Sequence, residues 1–266
     1  MIVGLIQVAV GFAKHIQKTM SIKSTADWEG LRQVAEVARA TLDALAAQVG
    51  PGVMTADLKA RAAELFAMHG ARSAPALVYG FPGTVLISIN DEIVHGVPGP
   101  RVLRRGDLLK LDVTVECDGY VADAARTVVV GSGSDAANRM ITCVRAAFRA
   151  GAAVASDGVR VNEIGRAVDA EARRHGFRVV RGLSGHGVGR TIHEAPPVPN
   201  EYDPTQTDVL REGLVLTIEP MITNGSIQPL EDANGWTIRT RDGSLSAHYE
   251  HTIIITRGTP LILTAA

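Results

Sequence analysis

Cysteine is scarce in this 266-residue chain: only Cys117 and Cys143 occur. Two cysteines cannot build a disulfide framework, and neither has the spacing of a zinc ribbon, so a reduced, cytoplasmic protein is expected. A surplus of charge of either sign is also missing, with 27 Lys plus Arg against 28 Asp plus Glu. That balance gives no electrostatic reason to expect nucleic acid or an acidic membrane surface as partner. No long Pro/Ser-rich linker divides the chain. Hydrophobic residues make up 46% of it, enough for a sizeable core, and the length admits one large domain or two small ones.

Residues 1–19, MIVGLIQVAVGFAKHIQKT, stand apart. The apolar run from Ile2 to Ala13 is too short to span a bilayer. A signal peptide would carry its positive charge before that run, whereas Lys14 and Lys18 follow it. Met20 then opens MSIKSTADWEGL, which reads as a natural start. Residues 1–19 therefore read as an amino-terminal extension, and 20–266 as one compact unit.

Helical spacing begins after Ser24 or Thr25, with Trp28, Leu31, Ala35, Ala38, Leu42 and Leu45 on one face. A second helix is expected to start after Thr55 and stop at His69-Gly70. A third follows GSGSD, from about Ala136 to Val154. A fourth runs from near Asn162 to His175-Gly176. The second and fourth are copies of each other, aligning Gly52 with Gly158, Asp57 with Glu163, Leu58 with Ile164 and Gly70 with Gly176. Each copy has a helix before it and strand-like runs after it. The runs are 84–89, 108–116, 120–130, 178–183, 213–222 and 250–256. The chain thus reads as an α+β protein of two pseudo-symmetric halves, with a site in the cleft between them.

Into these runs the sequence places acids that an apolar strand does not tolerate uncompensated. Asp112, Glu219 and Glu250 lie in LLKLDVTVECDGYVADAART, LVLTIEPM and SAHYEHTIIIT. Asp118-Gly119 marks a two-residue hairpin turn that pairs Thr114 with Asp123. Asp112, two residues from Thr114, then shares Asp123's face as a diagonal neighbour ~7–8 Å away by backbone. Few Lys or Arg residues lie nearby to neutralise four carboxylates. With His186 from SGHGVGRTIHEAPP, a pair of divalent cations is the simplest compensation. His69 and His175 end helices and read as structural. His251 alternates to the other face from Glu250, and the glycines of GHGVGR read as points of close backbone approach.

Five separated stretches, SINDEIVHGVPG, DLLKLDVTVECDGYVADAART, GHGVGRTIHEAPPVPN, LTIEPM and DGSLSAHYEHTIIIT, together resemble the type I methionine aminopeptidases from about Met20 to Thr256. The resemblance implies the pita-bread (creatinase/aminopeptidase-like) fold around a central antiparallel sheet. No extra amino-terminal domain points to the proline peptidases. The absence of a large insertion in the second half and of a Cys-rich amino terminus fits the short bacterial form. By resemblance, Asp112 chelates one metal ion, Asp123 and Glu250 bridge two, and His186 and Glu219 hold the other. A bridging water, acidified between the ions, would attack the first peptide bond. Glu219 could also take up the water proton. His193 would support the tetrahedral intermediate, and His95 would contact the substrate backbone and assist proton transfer.

The same resemblance lines a methionine pocket with Val78, Phe81, Leu86, Ile192 and Trp236. Val78 stands where the family has an aromatic residue, Leu86 for a cysteine and Ile192 for a phenylalanine. The pocket nonetheless stays apolar and suits an unbranched thioether. Ala124, after Asp123, replaces a frequent hydroxyl residue and is expected to alter a hydrogen bond to the metal site. Implied cofactors are two divalent ions, with Mn, Fe, Co and Zn all admitted by mixed O/N ligation. Implied substrates are the amino termini of nascent polypeptides, met at the ribosome by a monomer that needs no membrane. A catalytically weak paralogue that binds peptides or proteins is the competing reading. Retention of all five ligands favours the enzyme.

Overall fold

A computed structural model describes residues 19–265. Apart from Thr19, the amino-terminal extension lies outside the described residues. Helix α1 (Thr25–Gln48) starts where Ser24 accepts the Asp27 N–H at 3.1 Å, and it buries Leu31, Val34, Ala38, Leu42 and Leu45. Helix α2 (Thr55–Met68) starts one residue earlier than expected. Asp57 takes the Met54 N–H at 3.2 Å, while the Thr55 hydroxyl, free of capping, bonds Gly99. After β1 (Arg72–Ser73) comes α3 (Ala74–Tyr79), a six-residue helix with no sequence period long enough to reveal it. Strands β2 (Leu86–Ile89), β3 (Glu92–Val94), β4 (Leu108–Cys117) and β5 (Tyr120–Val129) complete the first half.

The second half opens with α4 (Asp135–Val154), capped by Ser134, and α5 (Asn162–Arg174). The expected 178–183 strand is only β6 (Arg178–Val179), because the chain turns at Gly182 before β7 (Ser184–Gly187). Next come β8 (Glu194–Pro199), β9 (Val215–Ile218), β10 (Met221–Thr223), β11 (Pro229–Glu231) and β12 (Ile238–Thr240). The expected 213–222 run is two strands, since Pro220 has no N–H to continue a ladder. Strand β13 (Ser246–Ile254) starts four residues earlier than expected, and β14 (Leu261–Ile262) pairs with its end.

One antiparallel sheet runs through both halves in the order β1-β4-β5-β13-β9-β7-β8. Its centre is the contact of β5 with β13, where the halves meet. The β4–β5 turn is the expected two-residue hairpin. Asp118 and Gly119 both have positive φ, and the pairing sets Thr114 opposite Asp123. On the outer face, Leu109, Leu111, Val113, Ala122 and Ala124 pack against α1. Ala247 and Ile253 pack with α4. The two large apolar clusters lie on that side, and a smaller one of Ile93, Val94, Val180, Met221 and Ile238 stands apart from them.

The duplication is legible in individual bonds. Gly52 N–H donates to Leu103 and Gly158 N–H to Leu210, both at 2.9 Å. Gly106 N–H donates to Val130 and Gly213 N–H to Ile255, both at 2.8 Å. The cross-strand pair Thr114–Asp123 of the first half becomes Met221–His248 in the second. Asp112 lies as far beyond Gly106 as Glu219 lies beyond Gly213, so these two acids occupy equivalent places.

Candidate metal centre

Alternation in three strands builds one wall of the cleft. β4 presents Lys110, Asp112 and Thr114. β5 presents Asp123, Ala125 and Thr127, and β13 presents His248, Glu250 and Thr252. The register aligns them in rows: Lys110–Thr127–His248, then Asp112–Ala125–Glu250, then Thr114–Asp123–Thr252. Two threonines lace β5 to β13. The Thr252 hydroxyl accepts the Asp123 N–H at 2.9 Å and donates to its carbonyl at 2.8 Å. The Thr127 hydroxyl does the same for His248, at 2.9 and 2.6 Å.

The neighbouring strands add the remaining candidates. Thr217 of β9, opposite Thr252, donates to Glu219 Oε1 at 3.1 Å and accepts the His186 N–H at 3.1 Å. Asn200 donates to the Glu219 carbonyl at 3.0 Å. His186 keeps Nδ1 on the Gly187 carbonyl at 3.0 Å, which directs Nε2 to Glu219 Oε1 at 3.4 Å. Strand β7 comes close enough only because it is glycine-rich. A Cβ on Gly185 would lie 2.5 Å from the Thr217 carbonyl oxygen, and one on Gly187 2.3 Å from that of Ala195.

All five sequence candidates therefore converge, and several of their atoms have no protein partner. Asp112 Oδ1, Asp123 Oδ1, Glu250 Oε1 and both ring nitrogens of His248 are buried without a hydrogen bond. Orphaned buried carboxylates are costly unless a cation serves them. Donor atoms of Asp112, His248 and Glu250 all lie within 4.8 Å of one another, as do those of Asp123, His186 and Glu250. The two trios share Glu250. The donor set, carboxylate oxygen with imidazole nitrogen, suits divalent transition ions.

Without cations these acids bind protons more tightly than free carboxylates do. Burial, then the nearby Asp123 charge, pushes Asp112 and Glu219 well above the carboxylate range. Glu250 is raised for the same reasons, with Glu219 adding to the repulsion. Asp123 rises to about 6 through burial, offset by the Thr114 hydroxyl and by Asp112. The imidazoles move the other way. Burial lowers His186 to about 4, and burial with the His186 charge lowers His95 to about 4 and His193 further. All three are neutral at pH 7.

The His193 ring lies 4.2 Å from that of His186, tilted by 57°, and its Nδ1 shares a hydrogen bond with the Tyr79 hydroxyl at 2.6 Å. Glu194 folds the preceding loop, its Oε1 accepting the Arg190 and Thr191 N–H groups at 2.7 and 3.0 Å. His95 has φ +58, a left-handed conformation uncommon outside glycine. Its loop is stitched to β2 by the Gly96 carbonyl accepting Ile87 N–H and by Gly96 N–H donating to Ser88, both at 2.9 Å.

Among the pocket candidates, Leu86 pairs with Asp112 and so flanks the acids directly. Phe81 is buried and meets Trp236 edge-on at 5.3 Å, and Ile192 is buried beside His193. Val78 differs: it is 41% exposed on α3. Ala124 bears on the acids only through its backbone N–H, which favours the ionised Asp123. Its side chain lies in the α1 core, and a hydroxyl reaches Asp123 from Thr114 instead. His251 lies on the outer face, bonded to Thr264 at 2.8 Å and Tyr249 at 2.9 Å.

Sequence reading passed over His248, although it stands two residues before Glu250 and strand alternation puts both on one face. It also passed over Tyr79, Thr217, Asn200 and Glu194, whose roles depend on contacts between distant segments.

The profile of metallopeptidase family M24 matches residues 29–257. Methionine aminopeptidase 2 of Bacillus subtilis (strain 168) is 38% identical over 92% of this chain and 99% of its own. Methionine aminopeptidase A of Synechocystis sp. is 40% identical over 92% of this chain and 98% of its own. The crystal structure of methionine aminopeptidase from Rickettsia prowazekii superposes with a TM-score of 0.89 at 34% identity. It covers 93% of this chain and all of that one.

Proposed function

The chain belongs to metallopeptidase family M24, and from that premise we propose that it removes the initiator methionine from nascent polypeptides at a centre of two divalent ions. It is a metal-dependent aminopeptidase with the pita-bread fold, a hydrolase of peptide bonds. The observation that carries the finer reading is the convergence of Asp112, Asp123, His186, Glu219 and Glu250, with orphaned oxygens on the shared wall. Asp112 and Glu250 would hold one ion. Asp123, His186 and Glu219 would hold the second, with Glu250 and Asp123 facing both. Bound ions supply Lewis acidity, an acidified water and an anchor for the substrate's free amino group.

The chain's own residues account for the remaining steps. Glu219 is suited to taking up the proton from water, and Thr217 fixes its carboxylate for that purpose. Burial keeps Tyr79 protonated, raised to about 12. In the tautomer whose Nδ1 accepts the Tyr79 hydroxyl, the His193 imidazole carries its proton on Nε2 and can donate to the developing oxyanion. His95 contacts the substrate backbone and assists proton transfer. Phe81, Leu86, Ile192 and Trp236 enclose the methionine side chain, with Val78 at the rim. Among the described residues no helix is long and apolar enough to cross a membrane. We infer a cytoplasmic monomer that meets its substrates as they leave the ribosome.

The test is cleavage of a Met-Ala-Ser peptide with Co(II) or Mn(II) added. Release of free methionine is expected. Tight peptide binding with no cleavage under either metal would make the protein a binding module.

A further inference from the structure

We propose that His248 is a sixth metal ligand, placing an imidazole on the ion held by Asp112 and Glu250; this rests on the metal-centre reading above. Four observations carry it. His248 is 1% exposed, and neither ring nitrogen has a hydrogen-bond partner. A buried imidazole in that state lacks at least one compensating contact. Its Nε2 lies 3.6 Å from Glu250 Oε2 and 3.7 Å from Glu219 Oε2. Both separations are too long for hydrogen bonds, and the 3.6 Å to Glu250 fits two donors each about 2.0–2.2 Å from a common ion. The ring also completes a trio with Asp112 and Glu250, all three donor atoms within 4.8 Å.

The fourth observation is the duplication. His248 lies as far before Ile255 as Asp123 lies before Val130, and the bonds at those two anchors match. The pairs Thr114–Asp123 and Met221–His248 repeat the correspondence across the strands. His248 is therefore the second half's copy of Asp123. The duplicated fold puts a ligand-type side chain at both copies of one place. It gives each ion its own imidazole, His186 on one side and His248 on the other. An added nitrogen donor shifts preference away from Mn(II) toward Co(II), Fe(II) or Zn(II).

The test compares the wild-type protein with His248→Gln, which keeps a polar side chain of similar length. Each is titrated with Co(II) by calorimetry and examined by X-ray absorption at the cobalt edge with two equivalents bound. In the wild type, imidazole scattering should approach one ring per ion. In His248→Gln that count should halve, and one of the two affinities should weaken tenfold or more while the other holds. Unchanged affinities and an unchanged imidazole count in the variant overturn the proposal. A wild-type count of half an imidazole per ion overturns it without recourse to the variant. Two tightly bound ions in that case would leave the metal-centre reading standing, whereas a wild-type protein that takes up no cobalt would remove both.

Discussion

Tyr79 and His193 are joined at 2.6 Å across 114 positions of sequence, by a bond from the end of a six-residue helix to the loop before β8. The bond orients a neutral imidazole against His186 without occupying an acid oxygen. His193→Ala should therefore keep metal content near wild type while lowering kcat on the order of a hundredfold, the range for a lost oxyanion donor. Tyr79→Phe should lower kcat by roughly fivefold, the worth of one ~1 kcal/mol hydrogen bond. Metal analysis beside steady-state kinetics decides the matter. Parallel loss of metal and turnover in His193→Ala would make His193 a ligand.

Metal binding should release protons. Asp112, Glu219 and Glu250 are raised well above the carboxylate range, and Asp123 is raised to about 6. A raised carboxylate contributes stability that is complete below its unfolded value, ~4. That contribution is lost as pH rises through the folded value. Cations reverse the preference by favouring the ionised acids. Calorimetric titration at pH 6 in buffers of different ionisation enthalpy should show net proton release, and metal affinity should fall as pH is lowered from 8 to 6. An affinity indifferent to pH over that range would contradict these carboxylates as ligands.

Asp123→Ala and Glu250→Ala should each abolish activity and reduce bound metal, because each carboxylate is proposed to serve both ions. The readout is ions per chain after dialysis, beside peptide turnover. Retention of two tightly held ions by either variant would remove that carboxylate from its bridging role. Treatment of the unmodified protein with a chelator should likewise stop turnover, and added Co(II) or Mn(II) should restore it.

Much of this arrangement was legible because strands alternate and Asp-Gly makes a two-residue turn. From those two facts Asp112 and Asp123 fall on one face, and the observed register agrees. The duplication was legible because Gly52, Gly70, Gly158 and Gly176 all hold positive φ, where glycine is the cheapest residue. The contacts that finish the site were not legible. Thr217 links His186 to Glu219, and Tyr79 reaches His193, through approaches of segments remote in sequence. No local period encodes such a meeting. Pro220 cut one expected strand in two, and His248 lay outside the expected bounds of its own strand.

A chain shortened to begin at Thr19 should retain its Tm within a few degrees and its activity in full. The fold's own amino-terminal anchor is Met20, which is 5% exposed. The Met20 carbonyl accepts the Val215 N–H at 3.1 Å, and its backbone N–H bonds Glu194. Helix α1 has its own cap at Ser24. Differential scanning calorimetry on the two chains tests this. A drop of ten degrees or more would show that residues 1–18 pack on the body.

The side-chain pocket should select methionine but discriminate less sharply than one walled by aromatic rings. Phe81 and Trp236 meet edge-on and supply one rigid corner. Leu86, set beside Asp112 by its strand pairing, and the buried Ile192 are the proposed aliphatic walls. Val78, 41% exposed, is proposed to leave one side open. A methylene of apolar contact changes transition-state binding by only ~1–3 kcal/mol. Leucine or norleucine at the first position should therefore be cleaved at a measurable fraction of the methionine rate. Charged first residues should be rejected, since none of these side chains can pair with them and burying an unpaired charge is costly. Val78→Phe should restore contact on the open side and widen the preference for methionine over leucine, by up to tenfold in kcat/KM. Measuring kcat/KM for peptides that differ only in their first residue, with both proteins, tests the whole argument. If lysine, alanine or proline outcompetes methionine, the proposed specificity fails while the metal chemistry stands. If Val78→Phe changes nothing, position 78 is not part of the pocket.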